Sequence, residues 1–352
     1  MDLDERSGVV KSIGEEVTPE RIQQLGSGFR SSRALLSAVE LGVFTELARG
    51  PLDAEALAER VGVDQRAARD FFDALVALEL LERSGGRYAN TAETDAYLDR
   101  AKPGYVGGMA EMQGVSGYRV WASLTQALRT GLPQTDAKGE TRKLFDEPSR
   151  ARRYLRAMTG GSMAAATAIA RRFPWHDYRT VIDVGTAEGC LPVRVALAHH
   201  HVSGGGLDVP EAREIFEEYV ESFGLADRLS FFPGDFMADP LPEADVVVMG
   251  NILCDLDPEE KQMLLGKAYL ALPDHGALIV YESIIDDERR HNASALLTSL
   301  AMVLQREGAF GFTGRQCQAW MADAGFEETY VEHLEGPRSM VVGHKTARSR
   351  SR

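Results

Sequence analysis

Residues 180–189 have the sequence Thr-Val-Ile-Asp-Val-Gly-Thr-Ala-Glu-Gly, an apolar run that breaks into a glycine-containing turn. This pattern predicts a buried strand, a tight loop and the start of a helix. Gly185 and Gly189 allow unusual φ values and let a ligand approach bare backbone, while Asp183 lies near the end of the strand. The stretch therefore predicts a ligand crevice at the carboxyl edge of a sheet.

Later strand ends carry further polar side chains. A second strand-like run ends at Asp208, where a carboxylate is placed to accept hydrogen bonds from a ribose diol. Asp235 and Phe236 follow a third apolar run, and Gly250 and Asn251 end a fourth. Because the carboxyl ends of parallel strands meet at one edge of a sheet, these residues are expected to share the crevice.

After Trp175, strand-like and helix-like segments alternate along the chain. Short buried strands separated by helices predict a doubly wound, mostly parallel α/β sheet. Two more strand-like segments, 326–333 and 339–344, follow a helix predicted over 313–324.

Composition limits the classes of partner. The chain has 352 residues, of which 44% are apolar, enough for two domains with a sizeable core. With 53 acidic and 39 basic residues the net charge is −14, which disfavours nucleic acid and favours a small-molecule substrate. Cys190, Cys254 and Cys317 are too far apart for a zinc motif or a disulfide framework. No segment resembles an export signal or a membrane span, so a cytoplasmic protein without membrane contact is expected.

The first hundred residues show helix-turn-helix spacing after a loose polar arm over about residues 1–20. An amphipathic helix over 31–49, broken near Gly42, precedes two helices that meet at Gly62, the second running from Asp64 to Leu81. Short extended pieces around Gly85 and Gly86 complete a winged-helix pattern. Residues 94–175 are predicted to be mostly helical, with a polar loop over 131–141.

The strand ends and the segment 249–257 resemble the class I S-adenosylmethionine (SAM) methyltransferases, and within them the plant-type and bacterial small-molecule O-methyltransferases. The resemblance covers roughly residues 25 to 344. It implies three parts: a winged-helix-like dimerisation domain over 1–100, a helical linker and substrate lid over 101–175, and a Rossmann-like SAM-binding domain over 176–346. A homodimer is expected, and the last two strands resemble the closing hairpin of the family. The Gly185-x-x-x-Gly189 spacing lacks the Gly-x-Gly-x-x-Gly pattern of dehydrogenases, which also favours SAM.

The resemblance also places substrate and cofactor residues. The segment 154–158 matches the wall of the substrate pocket, and Ser162 matches a hydroxyl near the methionine end of SAM. Thioethers and aromatic faces suit a flat ring. The residues assigned to the substrate wall are Tyr118, Trp121, Tyr154, Met158 and Met302.

The reacting centre departs from the family. The family carries a His-Asp-Trp tripeptide, whereas this chain has Cys254-Asp255-Leu256 and so lacks both the general-base histidine and the tryptophan. A thiol acts as a base only if its pKa is lowered, and Asp255 and Asp257 are expected to raise it. Cys254 is therefore either a catalytic residue or a neutral lining residue.

Two further residues complete the predicted centre. Glu282 matches the carboxylate that holds the family's histidine, and His291 is a candidate for a displaced base or a substrate ligand. The catalytic assignments are thus Cys254, Asp255, Glu282 and His291, with no metal.

The leading hypothesis is SAM-dependent methyl transfer to a small aromatic or polyketide-like secondary metabolite. O-methylation is the default, while N- or C-methylation stays open because the base is replaced. Two alternatives remain: a SAM-binding enzyme that catalyses rearrangement, decarboxylation or hydroxylation, and a winged-helix transcription regulator that touches DNA phosphates through Arg66 and Arg69.

Overall fold

The computed structural model describes residues 17–102, 104–135 and 145–346. The chain divides into two compact units, one up to Asp95 and one from Ala96. The predicted arm over residues 1–20 and the predicted loop over 131–141 lie partly outside the described residues. Within the described ranges, no helix combines the length and the apolar character needed to cross a membrane.

The first unit contains helices and a small antiparallel sheet. Its elements are α1 (Glu20–Ser27), α2 (Phe29–Leu41), α3 (Val43–Leu47), β1 (Leu52–Asp53), α4 (Ala54–Val61), α5 (Gln65–Ala77), β2 (Leu81–Ser84) and β3 (Arg87–Asn90). The strands lie in the order β1-β3-β2. Gly42 and Gly62 adopt left-handed φ values of 75° and 71°, which ends α2 and α4 where the sequence predicts. The helix α6 (Ala92–Tyr97) crosses the division between the units.

The predicted end of the helix that starts at Asp64 is wrong by four residues. The helix α5 ends at Ala77, and Glu79 has a φ of 60°, which a helix does not accommodate. Leu81 instead begins β2, where it pairs with Asn90 and is buried. Sheet pairing of Leu81 therefore prevails over its helix propensity.

The second unit begins with helices and continues as an alternating α/β segment. The helices are α7 (Gly107–Met112), α8 (Tyr118–Ala122), α9 (Leu124–Thr130) and α10 (Pro148–Arg172), with a π-helical turn at Gln113–Gly117. The α/β segment contains β4 (Thr180–Val184), α11 (Cys190–Ala198), β5 (Ser203–Asp208), α12 (Arg213–Ser222), β6 (Leu229–Pro233), β7 (Val246–Gly250), α13 (Pro258–Ala271), β8 (Ala277–Ser283), α14 (Ala293–Gln305), α15 (Gly314–Ala324), β9 (Glu328–Glu335) and β10 (Arg338–His344).

The main sheet confirms the predicted doubly wound architecture. Its seven strands lie in the order β6-β5-β4-β7-β8-β10-β9; β4 to β8 are parallel and the last two are antiparallel. Val246 and Val248 pack into the apolar layer on one face, while Val247 and Met249 pack into the layer on the other. The strands β5 and β6 are added on one side of β4, and β7 and β8 on the other side. Such a change in the order of strands opens a crevice at their carboxyl ends, here between β4 and β7.

The helix α14 was not predicted from sequence. It begins after Asn292, whose side chain accepts a hydrogen bond from the Ala295 amide at 3.1 Å. Its apolar residues are spread around the helix, so its sequence lacks a distinct amphipathic stripe. The capping asparagine before an apolar run was the available signal.

Candidate active site

The loop after β4 closes over the end of the sheet. Gly185 has a φ of 67°, and a Cβ atom there would lie 2.9 Å from the Ile252 side chain. The Thr186 hydroxyl donates to Asp183 Oδ2 at 2.9 Å. Burial raises the pKa of the Asp183 carboxyl to about 7. The loop therefore presents bare backbone beside a buried acid. A side chain at Gly185 would fill the space next to that backbone.

Asp208 connects this loop to the end of β5. Its Oδ2 accepts a hydrogen bond from the Ala187 amide at 2.9 Å, and its Oδ1 accepts one from the Val209 amide at 2.8 Å. Burial raises the pKa of Asp208, and the two amides oppose that rise. Because each carboxylate oxygen accepts more than one hydrogen bond, Asp208 retains acceptor capacity for a diol.

The end of β7 carries a second polar group of contacts. A Cβ atom at Gly250 would lie 2.1 Å from the Tyr281 ring, so only glycine fits there. Asn251 has a φ of 55°, and its side-chain nitrogen Nδ2 donates to Ser162 Oγ at 3.3 Å. Arg338 donates to Asn251 Oδ1 from β10. Sequence reasoning missed Arg338, since only the hairpin brings it to this edge.

Phe236 and Asp235 differ in their surroundings. Phe236 is half-buried, and its ring lies 3.9 Å from the position a Cβ atom would take at Gly185. Asp235 is exposed and accepts a hydrogen bond from the Met237 amide at 2.8 Å. Lys267, which sequence reasoning also missed, donates to the Phe236 carbonyl at 3.0 Å.

Cys254, Asp255 and Glu282 are adjacent, as the sequence predicts. Cys254 lies in the 3₁₀ turn Leu253–Asp255; its amide donates to Glu282 Oε1 at 3.2 Å and its thiol to Asp255 Oδ1 at 3.6 Å. Glu282 lies in β8, where it pairs with Ser339.

The electrostatics of this group disfavour a thiolate. Burial, followed by the charges of Glu282 and Asp255, raises the pKa of Cys254 well above its usual value. Asp257, expected to contribute, instead caps α13 by accepting from the Glu260 amide. The Glu282 pKa is raised to about 7 by burial. Asp255 is exposed, unlike Cys254 and Glu282. Desolvation raises the pKa of its carboxyl, and the Cys254 thiol, Arg306 and Lys261 oppose that rise. Asp255 is therefore the acid of this group with access to a substrate.

Tyr154 of α10 is half-buried, and the charges of both Asp208 and Asp255 affect it. Its pKa is raised to about 12 by burial and by the charges of Asp255 and Asp208. Its ring packs edge-on against Phe145 at 6.5 Å between centroids. Tyr154 is therefore close enough to Asp208 and Asp255 for the charges of both carboxylates to act on its hydroxyl.

The other predicted substrate residues lie on three helices. Met158 is half-buried on α10, and Met302 is buried on α14. Tyr118 and Trp121 are half-buried on α8. Because α14 contacts both α8 and the turn Leu253–Asp255, it brings this part of the wall toward Cys254.

His291 lies in an exposed turn, where its amide donates to Asp286 Oδ1 at 2.9 Å. Asp286, Glu288 and His291 have potential ligand atoms within 4.8 Å of one another. The Asp286 carboxylate already accepts hydrogen bonds from the amides of Arg290, His291 and Asn292. Within the described part of the chain, no hydrogen bond joins His291 to Cys254 or Glu282.

Comparisons with known proteins identify both parts of the chain. A family model described as an O-methyltransferase domain matches residues 121–327, and one described as an O-methyltransferase dimerisation domain matches residues 23–100. The tetracenomycin polyketide synthesis 8-O-methyl transferase TcmO of Streptomyces glaucescens is 41% identical over 328 residues, which cover 93% of this chain and 97% of TcmO.

Other relatives extend this likeness. The N,N-dimethyltransferase OxyT of Streptomyces rimosus is 37% identical, over 89% of this chain and 92% of its own length. The crystal structure of human N-acetylserotonin methyltransferase in complex with SAM has a TM-score of 0.86 at 26% identity, over 96% of this chain and 100% of that one. The expected cofactor and reaction type are confirmed. The chain belongs to the O-methyltransferase family and is a SAM-dependent methyltransferase.

Proposed function

We propose that the chain methylates an acidic phenolic hydroxyl on a small aromatic or polyketide-like secondary metabolite. The observation that carries this proposal is the buried Cys254, whose thiol donates to Asp255 and whose amide donates to Glu282, so that burial and these carboxyls raise the thiol pKa. The likeness to TcmO, a polyketide synthesis 8-O-methyl transferase, supports a polyketide-like ring as the acceptor. The aromatic and thioether side chains of Tyr154, Met158 and Met302 suit such a ring.

SAM supplies an electrophilic methyl group, so the protein must align a nucleophile and accept its proton. We assign proton acceptance to Asp255, because the pKa of Cys254 is raised well above its usual value and Glu282 is buried. A carboxylate is a much weaker base than a phenolate. The acceptor is therefore a phenol whose own ring substituents make it acidic.

The cofactor residues follow from the loop geometry. Asp208 accepts hydrogen bonds from the ribose hydroxyls. The backbone at Gly185 and the ring of Phe236 border the cofactor. Asn251 and Ser162 lie toward its methionine end. Support comes from the contacts of Asp208 with the Ala187 loop and of Asn251 with Ser162. Asp183 and Gly250 shape the same edge, and Asp235 lies at its exposed end.

N-methylation is the second candidate, because OxyT is a similar protein and an amine lone pair needs no base before transfer. Transfer to carbon stays open on the same chemical grounds. The assay is incubation with labelled SAM and a panel of hydroxyanthraquinones, hydroxynaphthalenes and aromatic amines. A labelled product heavier by one methylene unit on a hydroxyl is expected. Label only on nitrogen or carbon would reject O-methylation, and a product without label would favour a reaction that does not transfer methyl.

We further propose that the chain is a cytoplasmic homodimer with a winged-helix-like dimerisation domain over 1–100, a linker and lid over 101–175 and a catalytic domain over 176–346. The dimerisation-domain match and the exposed Ile22 and Leu25 of α1 support the dimer. Sedimentation equilibrium gives the test: twice the chain mass is expected, and a monomer at micromolar concentration would contradict it.

A further inference from the structure

Two cationic side chains donate hydrogen bonds to backbone carbonyls at the end of the turn Leu253–Asp255. Lys261 donates from Nζ to the Leu256 carbonyl, and Arg306 donates from one guanidinium nitrogen to the Asp255 carbonyl at 2.5 Å. These two residues lie outside the assignments made from sequence. Both bonds restrain the backbone that carries Cys254 and Asp255.

Lys261 is a charged residue in an apolar place. It is 1% exposed, and its Nζ lies 3.8 Å from the ring centroid of Phe310 and 5.7 Å from that of Trp320. Desolvation of an ammonium is costly, and ring faces together with a single carbonyl offset only part of that cost. An apolar side chain would fill the same space without this desolvation cost. The placement therefore favours a role for the donated bond and the charge.

Arg306 connects the turn to two helices. It follows the end of α14, the helix that carries Met302, and its guanidinium also pairs with Glu260. Glu260 belongs to the capping box that begins α13. Arg306 thus ties the substrate-wall helix, the start of α13 and the Asp255 carbonyl together.

We propose that Lys261 and Arg306 are positioning residues that fix the turn Leu253–Asp255 by its carbonyl side and so orient the Asp255 carboxylate toward the acceptor. The inference rests on the proposed function for the role of Asp255, but the anchoring of the turn can be measured without turnover. Both cations also favour the ionised form of Asp255, against the negative charge of Glu282. The other titratable groups facing this region are Cys254, Asp257, Glu260 and Tyr154.

The test compares Lys261→Met with Lys345→Met. Lys345 is a matched control, since its ammonium donates to the Tyr269 and Leu272 carbonyls and lies 4.6 Å from the Tyr269 ring, at the other end of α13. Amide hydrogen exchange of the peptide spanning 251–257 is followed by mass spectrometry, together with SAM binding by calorimetry. Lys261→Met is expected to speed exchange there roughly tenfold, with SAM Kd within about threefold of wild type. Lys345→Met is expected to leave exchange at the turn unchanged.

Turnover with alizarin, a dihydroxyanthraquinone, supplies the second readout. In Lys261→Met and Arg306→Gln, kcat is expected to fall about 10–100-fold with little change in the KM for SAM. The acidic limb of the kcat profile should move to higher pH, because loss of a positive charge disfavours ionised Asp255. Arg306→Lys should recover part of the loss.

Unchanged exchange at the turn in both Lys261→Met and Arg306→Gln would overturn the proposal, as would an equal loss of kcat in Lys345→Met. Arg306 is partly exposed, so its variants test the proposal even if Lys261→Met does not fold. If Asp255→Asn keeps full activity while exchange rises in the cation variants, the assigned role of Asp255 fails and the anchoring stands.

Discussion

Asp208 accepts hydrogen bonds from two backbone amides and lies where the ribose is expected. Replacement by alanine removes a charged acceptor and leaves the Ala187 and Val209 amides without it. We expect Asp208→Ala to weaken SAM binding by about 2–4 kcal/mol, measured by calorimetry. Asp208→Asn, which keeps one carbonyl oxygen, should lose less. Unchanged SAM affinity in the alanine variant would move the cofactor to another place.

Cys254 tests whether the replaced base takes part in chemistry. Because burial and nearby carboxyls raise the thiol pKa, Cys254→Ala should leave kcat within roughly tenfold, whereas a working base is worth about 10²–10⁴-fold. Cys254→Ser is the matched variant that keeps a small donor. A loss above a hundredfold in Cys254→Ala, with SAM binding intact, would show that the thiol acts in the reaction.

Cys254→His is the complementary change. Glu282 already accepts a hydrogen bond from the Cys254 amide, so it lies close to any imidazole placed at this position. Rates with weakly acidic phenols should rise, while rates with amines should not. Equal changes for both acceptor classes, measured by product mass spectrometry, would argue against a restored base.

At the scale of elements, α15 depends on a capping box. The Thr313 hydroxyl accepts from the Gln316 amide, and the Gln316 side chain accepts from the Thr313 amide. Thr313→Ala should lower the free energy of unfolding by about 1 kcal/mol in chemical denaturation, with unchanged SAM affinity. Thr313→Ser keeps the hydroxyl, so an equal loss in that variant would assign the effect to the methyl group instead.

The elements also differ in how far their sequences define them. The strand–loop–helix of residues 180–189 matches the structure closely because glycines, apolar runs and turns are local signals. The sequence does not predict α14 from hydrophobic periodicity, because its apolar residues form no single stripe. The predicted end of α5 lies four residues beyond the observed one, because strand pairing of Leu81 is a non-local effect.

Across the whole molecule, buried acids make stability depend on pH. The Glu282 pKa is about 7 in the folded chain, whereas an unfolded Glu titrates near about 4.3. Between these values the folded state binds more protons, so the free energy of unfolding falls as pH rises. Glu282→Gln mimics the neutral carboxyl and should gain stability relative to wild type over this window, by up to about 3 kcal/mol.

Urea denaturation from about pH 4.5 to pH 7.5 measures this difference. Asp183, whose pKa is also raised to about 7, remains in the variant, so the fall with pH should be reduced and not abolished. Parallel stability curves for the variant and wild type would show that Glu282 does not titrate in this range.

The chain's local patterns were sufficient for the sheet class, the family and the strand-end residues Asp183, Gly185, Asp208 and Asn251. Those features depend on neighbours in sequence: an apolar run, the turn that ends it and the side chain that follows. They do not depend on which segment packs against which.

Only the tertiary structure decided the surroundings of the reacting centre. Arg338 meets Asn251 across 87 positions of sequence, Arg306 meets the Asp255 carbonyl across 51, and Glu282 meets the Cys254 amide across 28. Lys261 is buried against the rings of Phe310 and Trp320, and burial at this place also raises the pKa values of Cys254 and Glu282. Strand register and helix packing place these groups together, and a pattern of neighbouring residues does not encode distances of that kind.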